Sequence, residues 1–170
     1  KIARNATHPD INLSVQFLLN CGDAGTCRGG DPLRAYRYIK KKGGIPFDTC
    51  LIYEACSYDS SEKVCHNRNF SCIPRNICRT CTSLWSSGAS CVEIYPYPNA
   101  TVKDYYALKG YENMMKEIYE RGPIACGMNS RAIENYTGGI LDLPNASREL
   151  EHVISIVGWL LIGMQWYFIA

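Results

Sequence analysis

Leu13-Ser-Val-Gln-Phe-Leu-Leu-Asn-Cys-Gly22, then Cys27-Arg-Gly-Gly30 and Asp31-Pro32, is the stretch on which the reading of this chain turns. Apolar residues at Leu13, Val15, Phe17, Leu18 and Leu19 suit a short helix. Ser14 can cap its start, and Gly22 follows its end. Asp31 is a good N-cap and Pro32 a good first helical residue, so a second helix opens there. Its buried side is expected at Leu33, Tyr36 and Ile39, and Gly43-Gly44 stops it. Lys40-Lys41-Lys42, the one basic run, falls where cations complement the end of a helix dipole. Two helices are thus joined by a short segment holding adjacent glycines, Gly29 and Gly30, where a second backbone could approach closely.

Outward from this stretch the chain changes character. From Pro46 to Pro98 no hydrophobic period is sustained. Cysteines crowd this part, and the residues after Cys50 are rich in Ser, Asn, Arg and Tyr. Such a segment buries too little apolar surface to order itself, so covalent staples must contribute. Ten cysteines accompany five N-x-[ST] sequons, at Asn5, Asn69, Asn99, Asn135 and Asn145, and the combination points to the secretory pathway. The net charge of +2 gives no basic stripe for nucleic acid or a membrane surface. The longest apolar run, Val153 to Met164, is interrupted by Gly158 and Gly163 and falls short of a membrane span. It reads as a buried strand followed by a turn. Tyr111 to Glu120 reads as a helix with Met114, Met115, Ile118 and Tyr119 on its apolar side. Strand-like segments follow at Ile124 to Met128, His152 to Trp159 and Gln165 to Ile169, the last two as neighbours. The expected fold is α+β in two domains: residues 1–91 helical and disulfide-rich, residues 92–170 β-rich.

Three histidines are present. His8, before Pro9, and His66, in a polar loop after Cys65, read as structural. His152 differs: it opens an apolar strand directly after the acidic run Glu149-Leu-Glu151, a place from which a side chain can reach a cleft while its strand is held rigid. Cys78-Arg-Thr-Cys81 with His66 is a weak zinc pattern, because structural zinc sites usually show two paired ligand clusters. No metal or other cofactor is expected.

Taken in order, Leu13-Ser-Val-Gln16, Asn20-Cys21-Gly22, Cys27-Arg-Gly-Gly30, Gly122-Pro-Ile-Ala-Cys126, Asn135-Tyr-Thr-Gly-Gly-Ile140 and Glu151-His-Val-Ile-Ser-Ile-Val-Gly-Trp159 resemble the motifs of papain-like cysteine proteases. The cysteine in the Gly122-Pro strand, the sequon at Asn135 and Cys78-Arg-Thr-Cys81 resemble its cathepsin X/Z branch. The resemblance implies a papain-like fold, with a helical left domain and a β-barrel-like right domain. It makes His152 the catalytic histidine. Gly30 would pair with substrate backbone, Gly29 would form the cleft wall and Glu151 would contact substrate. It implies bridges Cys21–Cys72, Cys50–Cys78 and Cys81–Cys91, with Cys56–Cys65 as an added local pair. The usual partners of Cys27 and Cys126 are not among these ten cysteines.

The resemblance also says what is missing. The family's nucleophile sits in C-G-[SA]-C-[WY] at the head of a long helix, and Lys1-Ile-Ala-Arg4 is similar to the tail of that helix. Trp166-Tyr-Phe-Ile-Ala170 resembles the strand leading into the family's N-S-W-G. The expectation is a fragment without the catalytic cysteine and asparagine, inactive alone. Leu160-Leu-Ile-Gly-Met164 departs from the polar turn usual after Gly-Trp. The implied protein is a monomeric peptidase, lysosomal or extracellular. It would act on peptides or proteins, as a carboxypeptidase by branch resemblance, and meet cystatin-type inhibitors. Nucleic acid and membrane are not expected partners. The competing reading is an inactive cystine-rich binding or decoy protein.

Overall fold

Ser14 organises the first helix. In the computed structural model α1 spans Val15–Cys21. Ser14 is fully buried; its Oγ accepts from Phe17 N–H at 3.0 Å and donates to the Leu51 carbonyl at 2.6 Å. One hydroxyl therefore satisfies a helix end and a loop carbonyl together. Ser14→Ala removes both bonds, and the expected loss is about 2 kcal/mol of unfolding free energy. An unchanged urea midpoint would contradict that role for the hydroxyl.

The described residues are 5, 7, 10–26, 28–56, 64–67, 69–82, 90–142, 147 and 149–170. Lys1-Ile-Ala-Arg4, His8, Cys27 and Asn145 lie outside them. The chain divides into two units, Lys1–Tyr106 and Ala107–Ala170.

In the first unit, β1 (Gly25–Thr26) and β2 (Gly29–Gly30) form a short antiparallel pair after α1. Helix α2, Pro32–Lys42, is capped by the Asp31 side chain and ends at Gly43, whose φ of 84° is a left-handed conformation that favours glycine. β3 (Ile45–Pro46) follows. A single turn, α3 (Pro74–Ile77), precedes β4 (Arg79–Thr82), which pairs antiparallel with β5 (Ser90–Glu93). β6 (Asn99–Ala100) returns to pair with β3, which is why residues 92–106 pack with the helices. The core is Phe17, Ile39 and Ile45, with Leu18, Tyr38, Leu51, Ile77 and Val102 against it.

The expected buried side of α2 needs one correction. Ile39 is buried, but Tyr36 is 41 % exposed, and Tyr38 packs on Phe17 with ring centroids 6.0 Å apart. The inward stripe runs through Ala35, Tyr38 and Ile39, at helical spacings of three and four, which turns Tyr36 outward.

Among the described residues four disulfides stand in for a larger core: Cys21–Cys72, Cys50–Cys78, Cys56–Cys65 and Cys81–Cys91. Cys78 and Cys81 therefore belong to two different bridges and do not form a thiolate pair for a metal.

In the second unit, α4 spans Tyr111–Arg121. Ile118 is buried and Met114 and Met115 are half-buried, but Tyr119 is 83 % exposed. Glu117 takes the inner side instead, with its carboxylate held by the Arg121 guanidinium at 2.6 Å. An ion pair one turn away lets a charged residue lie against the unit while Tyr119 keeps its hydroxyl in water. β7 (Ile124–Met128) pairs antiparallel with β8 (His152–Ile156), and β9 (Gly158–Ile162) with β10 (Gln165–Ile169).

The single strand expected from His152 to Trp159 is thus two, broken at Val157, whose N–H donates to Ile169 at 2.8 Å. Val153, Leu161 and Ile162 are exposed, and Met164 is 100 % exposed, so the apolar run is not a buried strand. The reason is topological: β9 and β10 pair only with each other among the described residues, and α4, which touches β9, leaves most of the hairpin exposed. The described residues hold helices and two-stranded antiparallel sheets, an α+β fold, and no closed barrel. No helix among them is long and apolar enough to cross a membrane.

Candidate functional site

His152 occupies the first position of β8, opposite Met128, the last residue of β7. The strand is anchored at its far end, where Ile156 is buried to 4 % exposure, and is exposed at its His152 end. A rigid ladder therefore presents an imidazole at its open head. Gly122, at φ 95°, ends α4, and Pro123 leads into β7. Gly127 lies beneath Leu150, where a Cβ would stand 3.3 Å from the leucine side chain.

The chain just before His152 is tied to the turn after β7. Glu151 N–H donates to Met128 C=O at 3.1 Å, extending the ladder by one residue. Ser130 Oγ donates to Glu151 Oε1 at 3.0 Å. Asn129 caps the short 3₁₀ turn Ser130–Ala132 through Arg131 N–H, and its Nδ2 donates to the Ser147 carbonyl at 3.3 Å. The Glu151 carboxylate beside His152 is thus fixed at one oxygen. Sequence reading missed Ser130 and Asn129. Asn129 and Ser130 follow β7 by one and two residues but meet residues 147–151 only through the β7–β8 register, which no local pattern signals.

Gly29 and Gly30 lie in the first unit. Gly30 pairs with Gly25 and Gly29 with Thr26. A Cβ at Gly30 would stand 2.8 Å from the Ala24 carbonyl oxygen, and one at Gly25 would stand 2.5 Å from Gly30 Cα. Both glycines are therefore required by the chain's own backbone crossing. Gly25 was overlooked in the sequence, where Asp23-Ala-Gly25 signals only a turn. Gly29 faces open space at φ 133°, so its backbone is accessible from outside. The two-stranded sheet leaves the outer edge of β2 unpaired among the described residues.

The thiols decide what this arrangement can do chemically. Eight cysteines are oxidised. Cys126 is a free, half-buried thiol that donates weakly to the Gly127 carbonyl at 3.5 Å. Burial pushes its pKa up, the reverse of what a nucleophile needs. Alkylation of Cys126 by iodoacetamide is expected to be slow at neutral pH and to rise only above the ordinary thiol range. Half-maximal reactivity below neutrality, followed by intact mass, would contradict this. Among the described residues no cluster of His, Cys, Asp and Glu could hold a metal.

The chain matches the model of the papain family cysteine protease over residues 1–170. It is 37 % identical over 159 residues to a protein named cathepsin Z from Onchocerca volvulus, an alignment covering 93 % of this chain and 46 % of that one. It is 26 % identical over 159 residues to cathepsin 7 of Rattus norvegicus, covering 88 % and 38 %. It is 28 % identical over 166 residues to cysteine proteinase 1 of Dictyostelium discoideum, again covering 88 % and 38 %. The chain spans less than half the length of these curated relatives. With a family model matched along its whole length and a relative above one-third identity across most of it, this chain belongs to the papain family of cysteine proteases.

Proposed function

We propose that this chain is the histidine-bearing part of a cathepsin X/Z-like carboxypeptidase that trims peptides and proteins in the lysosome or outside the cell. The observation that carries the reading is His152 at the exposed head of a strand anchored at its other end, with Glu151 beside it tied down by Ser130. In the mechanism, His152 takes the proton of a cysteine thiol. The thiolate attacks the scissile carbonyl, and the imidazolium returns the proton to the leaving amine. Water then releases the acyl group. Gly29 and Gly30 offer the substrate a strand edge, since an extended peptide adds to an unpaired edge through main-chain hydrogen bonds.

The nucleophile and the asparagine that orients the imidazole are placed in parts of the protein outside these 170 residues. The thiol inventory supports this: eight cysteines are in bridges, and half-burial of Cys126 pushes its pKa up rather than down. The family pattern makes Cys27 a bridge cysteine. The 170-residue chain alone is therefore expected to hydrolyse no peptide. Cystatin-type proteins are the expected inhibitors, the monomer is the expected state, and Asn5, Asn69, Asn99, Asn135 and Asn145 are the candidate glycan sites. An inactive decoy is the less favoured reading, because it gives no reason for His152 to be presented in this way.

The test is release of single C-terminal residues from synthetic peptides by the protein translated from the full transcript, with and without a thiol-directed epoxide. Epoxide-sensitive release is expected. Internal cleavage alone would sink the carboxypeptidase assignment, and turnover by the purified 170-residue chain would sink the placement of the nucleophile.

A further inference from the structure

The first unit holds a cavity of about 520 Å³ that has no place in the peptidase reading. Its walls include Gln16 and Asn20 of α1, Arg79, Asn76, Phe70 and the sequon residue Asn69. The volume lies within the usual range for small-ligand sites, and the lining mixes amides, one guanidinium and an aromatic face. Gln16 is 6 % exposed and is locked in place: its Nε2 donates to Asn20 Oδ1 at 2.8 Å and its Oε1 accepts from Glu54 N–H at 3.0 Å. That wall is built, not loosely draped.

Asn69, one of the lining residues, is held in a fixed pose. Its Oδ1 accepts from Ser71 N–H at 3.0 Å and from Ser71 Oγ at 2.6 Å. Asn76 Nδ2 braces the turn by donating to the Asn69 carbonyl at 3.2 Å and the Ser71 carbonyl at 3.0 Å. The next residue, Cys72, is bridged to Cys21 at the end of α1. The bonds that Asn69 itself makes among the described residues all use its oxygens, Oδ1 and the carbonyl, and none uses Nδ2. Asn99 differs: its Nδ2 donates to the Tyr97 carbonyl at 3.1 Å, and its Oδ1 lies 2.7 Å from where a Cβ on Gly44 would stand.

We propose that Asn69 carries an N-linked glycan and that the adjoining cavity seats its first N-acetylglucosamine. The inference rests on the secretory part of the proposed function. In the attachment step, Asn69 Nδ2 displaces the diphosphate of a lipid-linked oligosaccharide at the anomeric carbon. A C–N bond forms, the C–O bond to the lipid diphosphate breaks, and Nδ2 gives up one proton. The sugar ring then lies against Phe70, with its hydroxyl and acetamide groups in reach of Asn20, Asn76 and Arg79. The ligand is delivered covalently, so its effective concentration at the cavity needs no further affinity.

The full-length protein made in a eukaryotic secretory host provides the test. Enzymatic release of glycans in ¹⁸O-water, followed by peptide mass spectrometry, reads each sequon separately. The expected result is a glycan at Asn69. Two further preparations then test the seat: one trimmed to a single N-acetylglucosamine by an endoglycosidase, and the variant Asn69→Gln. The trimmed protein is expected to melt with the untrimmed one, and Asn69→Gln about 2–4 °C lower. Adding Phe70→Ala should remove most of that gap. Occupied sequons elsewhere with Asn69 bare would overturn the inference and leave the secretory reading standing. No glycan at any sequon would overturn both, while the peptidase assay remains a separate readout. A glycan at Asn69 whose complete loss leaves the melting temperature unchanged would overturn the seat.

Discussion

His152→Ala in the full-length protein is expected to lower kcat/KM for peptide hydrolysis by about 10⁴- to 10⁶-fold. At about 1.4 kcal/mol per tenfold, that is roughly 5–8 kcal/mol of lost transition-state stabilisation. The size follows from two duties lost together. Without the imidazole the nucleophile is no longer held as a thiolate, and the leaving amine receives no proton. Folding should be nearly untouched, because the ring sits at the exposed head of β8 while Ile156 anchors the other end. Unchanged melting with abolished turnover is therefore the paired outcome to look for. His66→Ala, in a 3₁₀ turn of the cystine-rich segment, serves as the control and should leave the rate as it was. A His152→Ala protein with more than a tenth of wild-type kcat/KM would remove this histidine from the mechanism.

Local chemistry was the legible part. Ser14, Asp31-Pro32 and Gly43 mark helix ends in sequence and cap α1 and α2 in the structure, because a cap is decided within four residues. The phase of a stripe is harder. Tyr36 and Tyr119 are apolar enough to be counted inward, yet Tyr38 and an ion-paired Glu117 take those places. Which aromatic turns inward depends on what stands opposite, here Phe17 for Tyr38, and that partner comes from a different helix, beyond the reach of α2's own period. The break at Val157 has the same origin. A continuous apolar run does not reveal that its first half pairs with β7 and its second with β10. Around the candidate site, the place of His152 at the head of a strand is legible. The Ser130–Glu151 contact is not, since it depends on a register set across 24 residues, from Met128 to His152.

Among the disulfides, the largest expected loss of stability comes from the bridge at the end of α1. Cys21→Ser with Cys72→Ser is expected to cost about 4 kcal/mol, from the entropy of a loop that long in the unfolded chain. The separation is 51 residues for Cys21–Cys72, against 9 for Cys56–Cys65 and 10 for Cys81–Cys91. The same relation gives about 2.7 kcal/mol for either short bridge, so loss of Cys21–Cys72 should exceed loss of either of them. The native geometry points the same way. Cys21 ends the helix that carries Phe17 into the core, and Cys72 follows the turn braced by Asn76, so the bridge joins the core to a segment with little apolar burial of its own. Phe17→Ala, at 1 % exposure, is expected to cost about 3–5 kcal/mol through a cavity and so provides a scale for the comparison. Against the usual 5–15 kcal/mol for a domain, either change brings the first unit close to its limit. Urea unfolding of the oxidised proteins, at equal slope, measures all four variants. If loss of Cys21–Cys72 costs no more than loss of Cys81–Cys91, loop entropy is not the governing effect, and the helix is held by its apolar face instead.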